Sequence, residues 1–272
     1  MDVFVPADKL LKKYIDCIYI IKRDDKPLKY TAYPSTHLAV GLFSNANIVQ
    51  EEKKLIVANA DFENAIAIAC NRLHDVVVMD YKQVPNEVAI NFKPMGFNTF
   101  TNADIAGRPD FTIFNSWDDD LTEVLNSVFS TEKTACQTEI IQNFLLSRYS
   151  PLAEEEILTK AIAMLCDFTK DYCLEQIAAL VGVHYKHLYR CFKKYVGCSP
   201  ARFKKIDRFR NTICSRLKAK DAVKLTETGY DNNYADQSHF IRHFRQVAGE
   251  NPTSLFKDLV LLGGDKIAWK FS

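Results

Sequence analysis

Residues 174–203 read LEQIAALVGVHYKHLYRCFKKYVGCSPARF, and their spacing predicts two short helices set across a tight turn. Ile177, Ala178, Leu180 and Val181 place apolar side chains on one face of the first helix. Gly182 then supplies the left-handed backbone that a helix-to-helix turn needs. From His184 a second helix begins, with Leu188, Cys191, Phe192 and Tyr195 recurring at helical spacing. Its outward positions carry Lys186, His187, Arg190, Lys193 and Lys194. Gly197 closes this helix, and Pro200 suits the first turn of the next one. The pattern is that of a helix-turn-helix, whose second helix can enter a DNA major groove. Taken alone, it describes an ordinary helical hairpin with a solvated basic face equally well.

A repeat separates the two readings. About fifty residues on, residues 228–256 read TGYDNNYADQSHFIRHFRQVAGENPTSLF. From the second helix onward the copies run in register: Leu188 answers Phe240, Arg190 answers Arg242 and Phe192 answers Phe244. Gly197 answers Gly249, Pro200 answers Pro252 and Phe203 answers Leu255. The second turn has one residue more, with Asn233 in the place of Gly182, and Asn tolerates the left-handed region better than most residues. Asp236 stands where it can cap the second recognition helix.

These residues resemble the AraC/XylS family of transcription regulators. The resemblance rests on IAALVGVHYKHLYRCFKKYVGCSPARFKKIDRFR and GYDNNYADQSHFIRHFRQVAGENP, and it covers about the last 110 residues. It implies an all-α domain whose two helix-turn-helix units enter successive major grooves on one DNA face. His184 stands where the family usually has a Ser cap, Asn233 where Gly is usual, and Thr228-Gly229 where Ile-Ala is usual. The last two departures weaken the helix-forming tendency of the second unit's first helix.

Charge is distributed unevenly along the 272 residues. The chain as a whole is +1, which by itself says nothing about nucleic acid. Residues 1–150 hold 15 Lys and Arg against 20 Asp and Glu, whereas residues 151–272 hold 20 against 14. Residues 184–224 alone hold 13 basic residues and only Asp207 and Asp221 as acids, the electrostatic footprint of phosphate contact. Hydrophobic content of 47% suits packed cores rather than a disordered chain. The eight cysteines include no pair at two-residue spacing, so buried reduced thiols are expected. Residues 1–10 lack the apolar segment of a signal peptide, and no run approaches the roughly 20 apolar residues of a membrane span, so a cytoplasmic location is expected.

Outward from the repeat, residues 7–16 suggest a short helix. Strand patterns follow at 17–21, 38–43, 54–58, 65–70, 76–81 and 88–92, separated by loops rich in Asp, Asn, Lys or Pro. Such spacing suits an antiparallel sandwich or barrel. Pro94-Met95-Gly96 breaks the pattern, and residues 118–129 and 132–149 read as helices. Family resemblance makes the N-terminal part a cupin-like barrel with helices packed after it. At least one of those helices then suits a homodimer contact, the alternative being that both only cover the barrel. Ser150-Pro151 is the best boundary. The expected fold is therefore α+β in two domains: 1–150, a mainly-β sensor or dimerisation domain, and 151–272, an all-α DNA-binding domain. In the latter, residues 154–168, 200–217 and 253–262 read as further helices, and the final residues IAWKFS have no assignment.

Candidate chemistry is sparse. His184 and His187, and His239 and His243, have spacings that can present two ligands from one helix, but no third ligand is evident beside either pair. His37 and His74 stand alone in the N-terminal part. No nucleophile-and-base motif, P-loop or dinucleotide fingerprint is present, so no catalysis, metal or cofactor is expected. Base readout is expected from Lys186, Tyr189 and Arg190 in the first unit and from Gln237, Ser238 and Arg242 in the second. His187 and His239 are further candidates for contact, and Lys193, Lys194, Lys204 and Arg245 are candidates for phosphate. The implied partners are double-stranded DNA, a small-molecule effector, a second copy of the chain and, for an activator, RNA polymerase. Two alternatives differ in class: an interaction protein whose helical repeats bind a protein partner, and a non-specific nucleic-acid binder.

Overall fold

The computed structural model describes every residue except 72, 104–109, 116, 171, 219–228, 230–233, 258, 262–267 and 272. A β-rich N-terminal part is followed by a helical part, as expected. Strands β1 (Asp2–Phe4), β2 (Ile15–Ile21), β4 (Leu38–Ser44), β7 (Ala65–Cys70), β9 (Asn86–Phe92) and β10 (Phe111–Ile113) make one sheet, in the order β1-β2-β9-β4-β7-β10. Strands β3 (Leu28–Ala32), β5 (Ala46–Glu51), β6 (Lys54–Asn59) and β8 (Val77–Tyr81) belong to a second sheet. Every pairing is antiparallel except that of β6 with β8. The sheets face each other, and the described strands form no closed ring.

The first sheet is buried on both faces, which explains why its strands read as nearly continuous apolar runs. In β4, Phe43 joins the inter-sheet core with Leu55, Ile68, Val77 and Met79. Val40 and Leu42 point the other way, into a core shared with helices α2 (Asp118–Ser130) and α3 (Thr134–Leu146). Those helices turn Leu121, Leu125, Val128, Ile141, Phe144 and Leu145 onto the sheet. Helix α1 (Lys9–Tyr14) is capped by Asp8, whose Oδ1 accepts from the amides of Leu10 and Leu11 at 2.8 and 3.0 Å. The break at Pro94-Met95-Gly96 has a steric cause: a Cβ on Gly96 would lie 2.4 Å from the Tyr14 carbonyl oxygen.

The helical part contains α4 (Glu155–Cys166), α5 (Leu174–Leu180), α6 (Tyr185–Cys191), α7 (Pro200–Lys218), α8 (Gln237–Ala248) and α9 (Pro252–Lys257). The expected helix over 253–262 is corrected at its end. After Lys257 the chain forms β11 (Leu259–Leu261) and β12 (Ala268–Phe271), and β12 pairs antiparallel with β3 through Lys270↔Thr31 and Phe271↔Tyr30. The open edge of β3 offers the backbone hydrogen bonds that a helix running into Gly263-Gly264 would lack. The unassigned tail is therefore a strand of the second sheet. Among the described residues, no helix is long and apolar enough to cross a membrane.

Candidate nucleic-acid interface

The first helix-turn-helix forms as its spacing predicts, except that Leu180, expected on the apolar face of α5, is 58% exposed. Helix α5 buries Ile177 and Ala178, and the amide of Cys173 before it donates to Gln176 Oε1 at 2.9 Å. Gly182 has φ +76° and open space where a Cβ would stand, so glycine is needed there for its backbone alone. His184 takes over the role of the missing Ser: its Nδ1 accepts from the Lys186 amide at 3.2 Å, capping α6. Leu188, Cys191 and Phe192 are buried, and a π-helical turn over Phe192–Val196 extends the helix to Gly197, at φ +85°. Outward lie Lys186, Tyr189, Arg190, Lys193 and Lys194, all exposed. Tyr185 and Tyr189 place their ring centroids 6.3 Å apart on that surface, and Lys194 Nζ sits 4.6 Å from the Tyr195 ring centroid.

In the second unit, the first helix and the turn at Asn233 lie outside the described residues, apart from Gly229. The recognition helix α8 is described in full. Asp236 Oδ1 accepts from the His239 amide at 2.7 Å, the N-cap expected of it. Phe240, Phe244 and Val247 pack against Phe209 and Ile213 of α7. Gln237, Ser238, Arg242 and Arg245 are exposed, while His239 is half-buried. His243 is buried, and its Nδ1 lies 2.7 Å from the Tyr234 hydroxyl. Burial, reinforced by the Arg208 charge, pushes its pKa down to about 4, so the ring stays neutral near pH 7.

Between α7 and α8 runs a groove that the sequence did not single out, lined by Lys204, Lys205, Arg208, His239 and Arg242. Lys205 and Arg208 were missed as site residues, and the one signal was that Arg208 stands three residues after Lys205 and four after Lys204 on a helix of known phase. The basic block also divides. Arg202 donates through Nε to the Leu73 carbonyl at 2.9 Å and through Nη2 to that of His74 at 2.7 Å. Arg210 of α7 is buried. It donates to the carbonyls of Tyr33 and Pro34. These two cations hydrogen-bond to backbone carbonyls of the β part.

His187 is half-buried and turned inward, with Nε2 3.5 Å from Cys191 Sγ. Burial, with the Glu154 carboxylate second, raises the Cys191 thiol above its ordinary pKa.

Residues 177–258 match the family model described as a helix-turn-helix domain. The HTH-type transcriptional activator RhaS of Klebsiella pneumoniae (strain 342) is 26% identical over 140 residues, 49% of this chain and 50% of that protein. The match thus spans about half the length of the relative. Among solved structures, ToxT from Vibrio cholerae at 1.65 Å is 11% identical with a TM-score of 0.44, over 87% of this chain and 95% of that one. ToxT from Vibrio cholerae bound to an unsaturated fatty acid is 14% identical with a TM-score of 0.43, over 87% and 92%.

Proposed function

We propose that the chain is a sequence-specific regulator of the AraC/XylS type that reads double-stranded DNA with α6 and α8, a reading supported by the helix-turn-helix match over residues 177–258 and the likeness to RhaS. The observation that carries this reading is the pair of capped helices with matching exposed faces: Arg190 and Arg242 occupy equivalent positions of the two units, and both face solvent. Lys186, Tyr189 and Arg190, with Gln237, Ser238 and Arg242, meet base edges in adjacent grooves. Lys193, Lys194, Lys204 and Arg245 meet phosphates, joined by Lys205 from the groove between α7 and α8.

The N-terminal part is the control element in this reading. Between the sheets lies a cavity of about 60 Å³ with apolar walls, Phe43, Ile68 and Met79 among them. Glu87 and Asn91 of β9 also line it, and both are buried. Among the described residues, neither amide atom of the Asn91 side chain has a hydrogen-bond partner. A small effector with one polar end can satisfy that amide, a buried polar group worth about 1–3 kcal/mol to pair. The apolar faces of α2 and α3 are spent on the sheet, so a homodimer contact through these helices uses their polar outer faces.

Selection of sequences bound by the full chain from random duplex DNA tests the reading. Enrichment of two short elements separated by about one helical turn, ~10 bp, is the expected result. Recovery of unenriched DNA would leave a non-specific binder, and recovery of none would leave the helical repeats as a protein-binding surface.

A further inference from the structure

His187 and Cys191 stand one turn apart on α6, so both side chains leave the same face of the helix. Their donor atoms, Nε2 and Sγ, are 3.5 Å apart. Glu154, at the N-cap of α4, brings its carboxylate to the same point, and all three donor atoms lie within 4.8 Å of one another. A tetrahedral zinc ion with bonds of about 2.3 Å to sulfur and about 2.0 Å to nitrogen separates those two atoms by about 3.5 Å. The sulfur and the imidazole therefore already stand at the spacing the ion requires.

The carboxylate is held as well. Tyr195 donates from its hydroxyl to Glu154 Oε2 at 2.7 Å, the kind of outer contact that orients a ligating carboxylate. Cys191 is backed by the core of the first unit, while Glu154 and His187 are half-buried, which leaves the ion a path from solvent. A thiol–imidazole hydrogen bond accounts for Cys191 and His187 but not for a carboxylate converging on both.

We propose that Glu154, His187 and Cys191 form a three-ligand site for zinc, with water completing the tetrahedron. A thiolate, an imidazole and a carboxylate select a zinc-class cation over calcium or magnesium, which favour all-oxygen sites. On binding, the thiol releases its proton to solvent. Thiolate and carboxylate together balance the ion's double charge. The bound ion ties the start of α4 to the first recognition helix, so occupancy braces α6 and turns the His187 imidazole away from any DNA contact.

The test uses the full chain, reduced and freed of metal with a chelator, then titrated with cobalt(II) as a spectroscopic stand-in for zinc. One cobalt per chain is expected, with a near-ultraviolet thiolate charge-transfer band that zinc abolishes. Cys191→Ser should remove the band. His187→Gln and Glu154→Gln, at half-buried positions that leave the core intact, should each weaken binding at least about tenfold, a loss that even outer contacts of metal sites produce. Replacing the exposed thiols Cys136 and Cys173 with Ser should change nothing. A band that survives Cys191→Ser, unchanged affinity in both His187→Gln and Glu154→Gln, or no thiolate band in the wild type would overturn the proposal. None of these readouts involves DNA, so they stand or fall apart from the regulatory reading.

Discussion

Arg210, on the helix joining the two helix-turn-helix units, donates through Nε to the Pro34 carbonyl oxygen at 2.5 Å, plugging the helical part into the β part. Its guanidinium is buried and also reaches the Tyr33 carbonyl, while the Tyr33 hydroxyl donates to Glu250 Oε1 at 2.5 Å from beyond α8. Arg210→Met should leave two buried carbonyls without a donor, at roughly 1–3 kcal/mol each. Urea unfolding followed by fluorescence and by far-ultraviolet dichroism should show one coincident transition in the wild type and two separate ones in the variant. Coincident transitions at an unchanged midpoint would refute this coupling.

Arg242 and Lys194 separate base reading from phosphate contact. Arg242→Ala is expected to cost ~1–3 kcal/mol on the selected site and to relax preference at one or two base pairs. Lys194→Ala should weaken all duplexes alike and lower the salt slope by about one. Binding of both variants to the selected and to a scrambled duplex, at two salt concentrations, measures the difference. Equal weakening on both duplexes by Arg242→Ala would make it a phosphate anchor.

Acid should weaken the second unit through His243. Its folded pKa of about 4 lies below the ordinary value of 6.5, so the unfolded chain takes up the proton first as pH falls. The contribution is fully present above pH 6.5 and is lost between 6.5 and 4, on the order of 1–3 kcal/mol. Comparing urea midpoints at pH 7 and pH 4.5 in wild type and His243→Gln checks this. The variant should lose less stability on acidification, and parallel losses would show that His243 is not the group responsible.

Glu87 acts in the opposite direction. Burial raises its carboxyl from 4.5 to about 7, against the hydrogen bond donated by the Tyr81 hydroxyl at 2.8 Å. Here the folded chain holds the proton more tightly, so stability is fully present below pH 4.5 and declines as pH rises through 7. Glu87→Gln should therefore gain on wild type between pH 5 and pH 8, on the order of 1–3 kcal/mol. Thermal unfolding at the two pH values measures it, and no difference in the gain would place Glu87 in contact with solvent.

What the sequence determined by itself was local or repeated. A 3.6-residue period, Gly182, Gly197 and Gly249 at turn positions, and Asp236 before α8 all act within a few residues, so both recognition helices were legible, as were their outward positions apart from His187, which turns inward. The strands of the first sheet were legible because burial on both faces makes long apolar runs. Short or one-sided strands such as β1, β3 and β10 carry too little pattern to stand out. Tertiary structure alone decided the fate of charges and of chain ends. Nothing near Arg202 or Arg210 in sequence distinguishes them from Lys204, yet carbonyls more than a hundred residues away draw them inward. The tail became a strand because β3 offers an open edge, and Glu154 became the third partner of His187 and Cys191 only through the packing of α4 against α6. Such pairings arise because a buried donor or acceptor must find a partner wherever the fold brings one, and sequence spacing does not record that distance.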